Sequence, residues 1–326
     1  EPIADIGAYT ADNLVRDGIN RRLRQDINTL RDKVARSGLA DPARAAIIGE
    51  LSLIADTQAK AQAPETEGFR AVLPLNALHR RIFACQARLW NEQGIIGLHT
   101  WNSGLWEALS HLADPPEEGG ASVEVAMMQN EYRAAAFNIS NASLEDKTIG
   151  LHFEGLPEST NPSYIMVHEV AWTDTASGIP VASALPEARR VSGGWEIDVP
   201  RGMTRQVWLT FHPESVSPGA YEGRIVLEGG AQSIPVSLEI FPFRFPDKPT
   251  LDFGGWDYTN GDSHRGINPE NRDLVLQHLK ERFVNVPWAT NQVIPRGAYD
   301  AKGHMTTKPD TDAFDTWIAR CGVQGD

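Results

Sequence analysis

The apolar positions of the first ninety residues recur with a helical period. Leu14, Val15, Ile19, Leu23, Ile27, Leu30 and Val34 fall at three- and four-residue steps, which predicts one helix over residues 10–36. Ser37-Gly38 ends it, because glycine takes the left-handed cap conformation without steric cost. Asp41-Pro42 opens a second helix, since Asp caps free N–H groups and Pro suits the first helical position. Its apolar stripe is Ile47, Ile48, Leu51, Ile54 and Ala55. A third helix starts at about Pro74, carries Leu75, Leu78, Ile82, Cys85 and Leu89, and stops at Gly94. The short connection at 37–41 makes the first two helices antiparallel neighbours. Their Arg-rich outer faces are read as solvated.

From Gly94 the period changes to two. Strands are predicted at Ile95–Trp101, Val123–Met128, Tyr132–Ile139, Thr148–Phe153, Tyr164–Trp172, Trp195–Val199, Gln206–Phe211, Tyr221–Leu227 and Ser233–Phe241. Turn signals such as Glu118-Gly119-Gly120, Ser192-Gly193-Gly194 and Pro218-Gly219 separate many of them, the spacing of an antiparallel β-sandwich. Pro242, Pro246 and Pro249 then follow within a few residues and are expected to end the last strand and form a hinge.

Past the hinge the pattern alters again. Leu251–Trp256 and Phe283–Trp288 read as strands, Pro269–Arg282 and Asp312–Arg320 as helices. Strand, helix, strand, helix signals parallel βα units, as at the start of a (β/α)8 barrel. A whole barrel takes about 250 residues, so one begun here is expected to be incomplete within this stretch. The fold class expected is therefore multidomain α+β: a helical hairpin over residues 1–93, an antiparallel β-sandwich over 94–245, and the first βα units of an incomplete (β/α)8 barrel over 246–326. Such a truncated barrel would leave strand edges and apolar faces uncovered.

Composition narrows the function classes. Net charge is −13, and residues 1–60 carry nine basic and nine acidic side chains, so the acidic excess lies beyond them. That balance argues against nucleic acid or anionic membrane surfaces as partners. No apolar run approaches the roughly 20 residues that span a bilayer. Cys85 and Cys321 form no CxxC or zinc pattern and read as inert thiols. The chain opens Glu1-Pro2-Ile3 without an initiator Met. Removal of an export signal would produce that start, so a secreted or periplasmic location is expected, although tag removal or fragmentation would give it too.

Barrel active sites lie where strands end. The first barrel strand ends in Trp256-Asp257-Tyr258 and the second in Val286-Pro287-Trp288 with Asn291 just after. Trp and Tyr rings stack on sugar faces and a neighbouring carboxylate accepts hydroxyl hydrogen bonds, so Trp256, Asp257, Tyr258, Trp288 and Asn291 are the expected substrate-binding residues. The plain alternative is a packing cluster at the barrel mouth. Asp257, Asp262 and His264 match no metal template, and no metal or other cofactor is expected. Asn130-Glu131-Tyr132 is read as structural, with Glu131 pairing at a domain interface. No phosphate loop, nucleophile elbow or Cys/His nucleophile pattern occurs.

Four stretches together resemble one family. HTWNSGLWEAL (99–109), MMQNEYRAAAFNISN (127–141), VWLTFHPESVSPGAYEGRIVL (207–227) and IFPFRFPDKPTLDFGGWDY (240–258) resemble the sandwich, hinge and first barrel strand of glycoside hydrolase family 123-like proteins, also described as DUF4091 proteins. The resemblance implies a hydrolase of N-acetylgalactosaminides that uses an adjacent Asp-Glu pair. The Asp orients the substrate's acetamido nucleophile and the Glu protonates the leaving oxygen. No Asp-Glu dipeptide follows Thr250, so that pair transfers to no residue here and is expected beyond residue 326. The reading is the N-terminal portion of a secreted glycoside hydrolase acting on N-acetylhexosamine-containing glycans. A non-catalytic carbohydrate-binding or scaffold protein is the alternative, and the helical hairpin offers a further role in homo-oligomer assembly.

Overall fold

The computed structural model describes residues 11–60 and 71–321, except 108, 159, 176–177, 230–231, 249, 255–257 and 261–266. The chain divides into two compact units, Glu1–Arg244 and Phe245–Asp326.

In the first unit, helices α1 (Ala11–Arg36), α2 (Asp41–Lys60) and α3 (Ala77–Glu92) bury the stripe read from the sequence. Ile19, Leu23, Ile27, Leu30 and Val34 of α1 pack on Ile47, Leu51 and Ile54 of α2 and on Ile82, Cys85 and Leu89 of α3. The third helix begins later than Pro74. Asn76 is extended and its side chain accepts the His79 N–H, which closes the first turn.

The strands that follow are β1 (Leu98–Trp101), β2 (Val123–Gln129), β3 (Arg133–Asn141), β4 (Lys147–Glu154), β5 (Ile165–Glu169), β6 (Ala171–Thr173), β7 (Val181–Ala184), β8 (Arg189–Val191), β9 (Gly194–Val199), β10 (Thr204–Phe211), β11 (Gly219–Leu227) and β12 (Gln232–Arg244). A four-stranded sheet, β1-β3-β10-β5, faces a six-stranded sheet, β2-β12-β11-β4-β9-β8. Alternation fills the space between them: Phe137, Ile139, Val167, Val207, Leu209 and Phe211 from one sheet meet residues such as Val125, Phe153, Ile197, Ile225 and Val236 from the other.

Three features depart from the sequence reading. The pairing is antiparallel except between β2 and β12, which run parallel from Val123↔Val236 to Gln129↔Arg244. The expected strand Tyr164–Trp172 breaks at Val170, whose N–H bonds the Gln206 carbonyl, and β6 leaves to pair with β7 in a separate ribbon. Pro242 does not end β12. The strand runs on to Arg244, and the register shift between Phe241 and Arg244 accommodates a residue with no N–H to give.

The helices and the sandwich share one body because their contacts are close. Residues 71–73 bond alongside β6, with the Leu73 N–H on the Trp172 carbonyl at 3.1 Å and the Asp174 N–H on the Ala71 carbonyl at 3.1 Å. Gln86 of α3 is fully buried and donates to the Gly202 carbonyl at 2.9 Å. Gly202 sits at φ +70, and a Cβ there would lie 1.8 Å from the Phe83 carbonyl oxygen. Only glycine fits this contact between α3 and the β9–β10 turn.

The second unit holds α4 (Arg272–Glu281), a 3-10 turn (Asn291–Val293), the hairpin β13 (Ala298–Tyr299) and β14 (Met305–Thr307), and α5 (Asp312–Cys321). Among the described residues, neither 251–254 nor 283–288 is a strand, which corrects the expectation of two βα units. The segments still advance side by side in the same direction. The Asn285 and Val286 N–H groups both reach the Phe253 carbonyl, at 3.0 and 3.1 Å, and the Thr259 N–H reaches the Trp288 carbonyl at 2.7 Å. The Asn285 side chain takes the places a ladder would fill, accepting the Phe253 N–H at 2.7 Å and donating to the Leu251 carbonyl at 3.1 Å. Phe283 at φ +62 turns the chain just before, so an extended run cannot start there. Leu251, Phe253, Leu274 and Ile294 remain more than half exposed in this unit.

Gly202→Ala is expected to destabilise the first unit by about 3 kcal/mol, because backbone must move and the positive φ is strained. A fall in the urea unfolding midpoint of the full chain would register it, and an unchanged midpoint would refute the close contact.

Candidate functional site

The polar cleft of the second unit forms where the two side-by-side segments end. Thr259 is its anchor. This fully buried side chain donates its hydroxyl to the Trp288 carbonyl at 2.7 Å and accepts the Trp317 indole N–H at 2.8 Å. One residue on, Asn260 clamps Thr290, donating to its hydroxyl at 2.9 Å and accepting its N–H at 3.0 Å. These bonds tie the segment after 254, the segment after 288 and α5 together. The cleft between them has a volume of ≈ 510 Å³ and is lined by Asn260, Gln292, Asp312, Thr316, Trp317 and Arg320, with Val293 and Ala313. It offers one indole, two carboxamides, a hydroxyl, one carboxylate and one guanidinium. Sugar hydroxyls are met by such a set, because carboxamides both donate and accept and a ring face accepts C–H contacts.

Of the residues expected from the sequence to bind substrate, Trp256 and Asp257 lie outside the described residues. Tyr258 is half-buried at φ +47, next to the anchor Thr259. Trp288 is 46% exposed and gives its carbonyl, not its ring, to the anchor. Asn291 is exposed in the 3-10 turn. Tyr258, Trp288 and Asn291 thus flank the cleft's lining without belonging to it. Sequence reasoning missed Asn260, Gln292 and the α5 residues. A usable signal was present, since Asn260 and Gln292 each follow an apolar segment end, but the α5 side chains Asp312, Thr316, Trp317 and Arg320 become visible only once that helix is placed.

A second group of functional residue types is buried in the helical part. Asp26 of α1 accepts the His79 Nε2–H at 2.8 Å and the His111 Nε2–H at 3.0 Å, and the Arg22 guanidinium stands 3.6 Å away. Asp26 and Arg22 are nearly fully buried, so the Arg-rich face of α1 is not wholly solvated as the sequence suggested. The three potential ligand atoms of Asp26, His79 and His111 lie within 4.8 Å of one another. They do not fit a metal ion. His79 Nδ1 already accepts the Leu75 N–H at 3.1 Å, so its proton resides on Nε2 and points at Asp26. Ligation through Nε2 would strip that proton from a ring whose other nitrogen needs its lone pair, and Arg22 places a positive charge beside the same carboxylate. Burial pushes the Asp26 carboxyl up, but the two imidazole N–H bonds outweigh it and hold the group well below the ordinary carboxylate range. Burial likewise holds His79 below its ordinary 6.5, against the pull of Asp26.

The remaining sequence candidates are structural. Glu131 accepts the Met128 N–H at 2.9 Å and pairs with Arg133 at 3.3 Å, which closes the β2–β3 turn locally instead of meeting another domain. Tyr132 stacks on His212 with ring centroids 3.7 Å apart. Cys85 is buried and its thiol is pushed up to about 12 by burial first and by Glu50 second, so no thiolate nucleophile forms there.

No family model matches the chain. No curated protein matches it either. Among solved structures, the chain is similar to a family 123 glycoside hydrolase from Clostridium perfringens studied for glycolipid glycan hydrolysis. The identity is 12%, the TM-score 0.47, and the match covers 70% of this chain and 46% of that one. A human CEP192 PapD-like domain matches at 14% identity and a TM-score of 0.22, over 43% of this chain and 99% of the domain. The chain therefore spans about half the length of the hydrolase structure, and the likeness is a distant structural one.

The buried cluster makes stability pH-dependent. Where the unfolded state binds more protons, stability rises with pH. His79, depressed when folded, stays neutral as its unfolded counterpart protonates near 6.5, so stability falls as pH drops below that value. Asp26, also depressed, contributes stability that is present above the ordinary carboxylate value of 3.8 and lost as pH falls below it. Urea midpoints measured between pH 7 and pH 3 should decline in these two windows. Asp26→Asn should cost about 3 kcal/mol at pH 7 and flatten the lower window. An unchanged lower window in that variant would refute the assignment.

Proposed function

We propose that this chain is part of a secreted glycoside hydrolase and that the cleft of its second unit is a subsite for an N-acetylhexosamine-containing glycan. The observation that carries the reading is the cleft itself, an indole, two carboxamides, a hydroxyl and a charged pair gathered where two parallel-running segments end. That is the place a barrel enzyme uses for its substrate. The hinge and first-segment motif, 240–258, supports the same reading through its resemblance to family 123-like proteins. In this reading Trp317 offers the ring face, Asn260 and Gln292 the hydroxyl or acetamido hydrogen bonds, and Asp312 and Arg320 the rim charges. The Tyr258, Trp288 and Asn291 side chains extend the same region. Acid–base catalysis belongs to carboxylates beyond residue 326, and a (β/α)8 barrel would be the frame that presents them.

One observation favours the second reading, a glycan-binding protein without hydrolytic activity. Among the described residues Asp312 is the single carboxylate that lines the cleft, whereas glycosidic bond cleavage takes two carboxyl groups, or one with a substrate acetamido group held by another.

Titration calorimetry of the full chain with N-acetylhexosamine-terminated oligosaccharides is expected to show saturable binding. Asp312→Asn and Arg320→Ala should each weaken it by about tenfold, the size of one charge-assisted hydrogen bond. Absence of binding across a panel of such glycans, or binding indifferent to both substitutions, would remove the subsite. Release of free sugar from aryl N-acetylhexosaminides by this chain would overturn the placement of its acid–base groups.

A further inference from the structure

A second cleft lies within the first unit. It is lined by Glu50 of α2, by Arg81, Ala84, Cys85 and Arg88 of α3, and by Leu144 and Arg201 from two turns of the sandwich, with a volume of ≈ 280 Å³. Arg81, Ala84, Cys85 and Arg88 recur at three- and four-residue steps, so α3 turns one face to it. The charge balance is unusual for this chain. Three guanidinium groups share the cleft with one carboxylate, in a protein whose net charge is −13.

The guanidinium groups are held in different ways. Arg81 places both Nε and one terminal nitrogen on a single Glu50 oxygen, at 3.0 and 2.9 Å, which fixes the fork; its other terminal nitrogen makes no hydrogen bond among the described residues. Arg201 is steadied from behind, donating to the Leu144 carbonyl at 3.0 Å, while its backbone N–H bonds Asp146 at 3.1 Å and its Nε stands 3.8 Å from the same carboxylate. Arg88 is exposed and has no hydrogen-bond or ion-pair partner among the described residues. Two anchored cations, each facing one carboxylate, and one cation without a partner among the described residues surround a concave surface, so guanidinium donors outnumber the acid oxygens placed to receive them. The Cys85 thiol at the wall is not the reactive element, since it is almost fully buried.

We propose that this cleft binds a tetrahedral oxyanion, a sulfate or phosphate group, through Arg81, Arg88 and Arg201. Guanidinium forks match the paired oxygens of such groups, and a concave, partly desolvated setting strengthens the charge-assisted bonds. Glu50 acts as the positioning residue that sets the Arg81 fork. The group arrives either as a free inorganic ion or as an ester on a sugar, and the cleft volume accommodates both.

Calorimetric titration of the full chain with sodium sulfate and sodium phosphate, against sodium chloride at constant ionic strength, reads the first source. Titration with a monosaccharide sulfate and a monosaccharide phosphate reads the second. Saturable binding of the inorganic ions assigns the free ion, and saturable binding of the esters alone assigns the ester. Arg88→Ala and Arg201→Ala should each weaken the binding by about tenfold, as loss of one charge-assisted bond does. Arg133→Ala, whose side chain pairs with Glu131 and does not line the cleft, should leave it unchanged. Asp312→Asn should also leave it unchanged, which separates failure here from failure of the glycan subsite. Should Arg201→Ala fold poorly by circular dichroism, Arg88→Ala decides, because that side chain holds nothing in place. No saturable binding of any of the four compounds, or binding insensitive to Arg88→Ala, would overturn the proposal.

Discussion

A carboxylate taken out of water must be met by donors, and Asp26 is met by three stretches of chain at once. Its partners come from its own helix, from α3 and from the segment leading into the sandwich, at separations of 53 residues for His79 and 85 for His111. Removing any one donor would leave buried charge uncompensated, which is costlier than the bond itself is worth. The arrangement therefore has a single geometry that satisfies it. Arg22 extends it toward the β6–β7 ribbon by donating to the Gly178 carbonyl at 3.0 Å. Lys33 extends it the other way, to the Leu112 carbonyl at 2.7 Å and to Asp114, which also receives the Trp90 indole N–H at 2.7 Å. This chain of polar contacts makes the helical hairpin a wall of the sandwich body and not an appendage.

The local periods of that body were legible. The stripe of α1, the alternation of β10 and the alternation of β11 follow from burial on one face, and burial on one face is what a sequence period records. What crosses between elements was not. The parallel partnership of β2 and β12 joins residues more than a hundred positions apart, and nothing within a window signals it. The polar residues of β3 show the same limit. Asn138 and Ser140 alternate with Phe137 and Ile139 as an outward, solvated face would, yet all four are fully buried. Their outward side is covered by β1 and the segment after it: Trp101 bonds the Ser140 hydroxyl at 2.9 Å, and Ser103 accepts from Asn138 at 3.1 Å. A trace of the Asp26 cluster was present as well, because Arg22 and Asp26 interrupt the apolar face of α1 at helical spacing. A charged pair inside an apolar stripe marks a buried partner elsewhere.

The second unit shows how one side chain defeats a pattern. Apolar runs at 251–254 and 284–288 have the composition of buried parallel strands, and they do lie side by side. Asn285 then supplies from its carboxamide the donor and acceptor that the next rung of a ladder would take from backbone. Short amide side chains compete with secondary structure in this way. The close approach survives without the ladder: a Cβ on Gly254 would fall 2.1 Å from the Val286 carbonyl oxygen. The expected site suffered accordingly. Ring positions inferred from ideal strand ends do not hold when the strands are absent, so Trp288 meets Thr259 through its carbonyl while its neighbours reach the cleft.

The chemistry of the cleft follows from which groups are already committed. Thr259 spends its hydroxyl on structure, both donating and accepting, and Asn260 spends its oxygen and one N–H on Thr290. Fixing these groups removes rotamer freedom before any ligand arrives, so a ligand that contacts them loses less entropy on binding. The Trp317 ring is held the same way, tethered by its N–H. Asp312 differs, being exposed at the first turn of α5, where the helix N-terminus favours an anion. In the proposed reading the tethered ring and the two amides would orient a sugar, and the exposed carboxylate at the helix start would accept its hydroxyl hydrogen bonds. General-acid work requires a carboxyl whose surroundings penalise its charged form. A general acid for the proposed hydrolysis would be a carboxyl in a drier setting than the exposed Asp312.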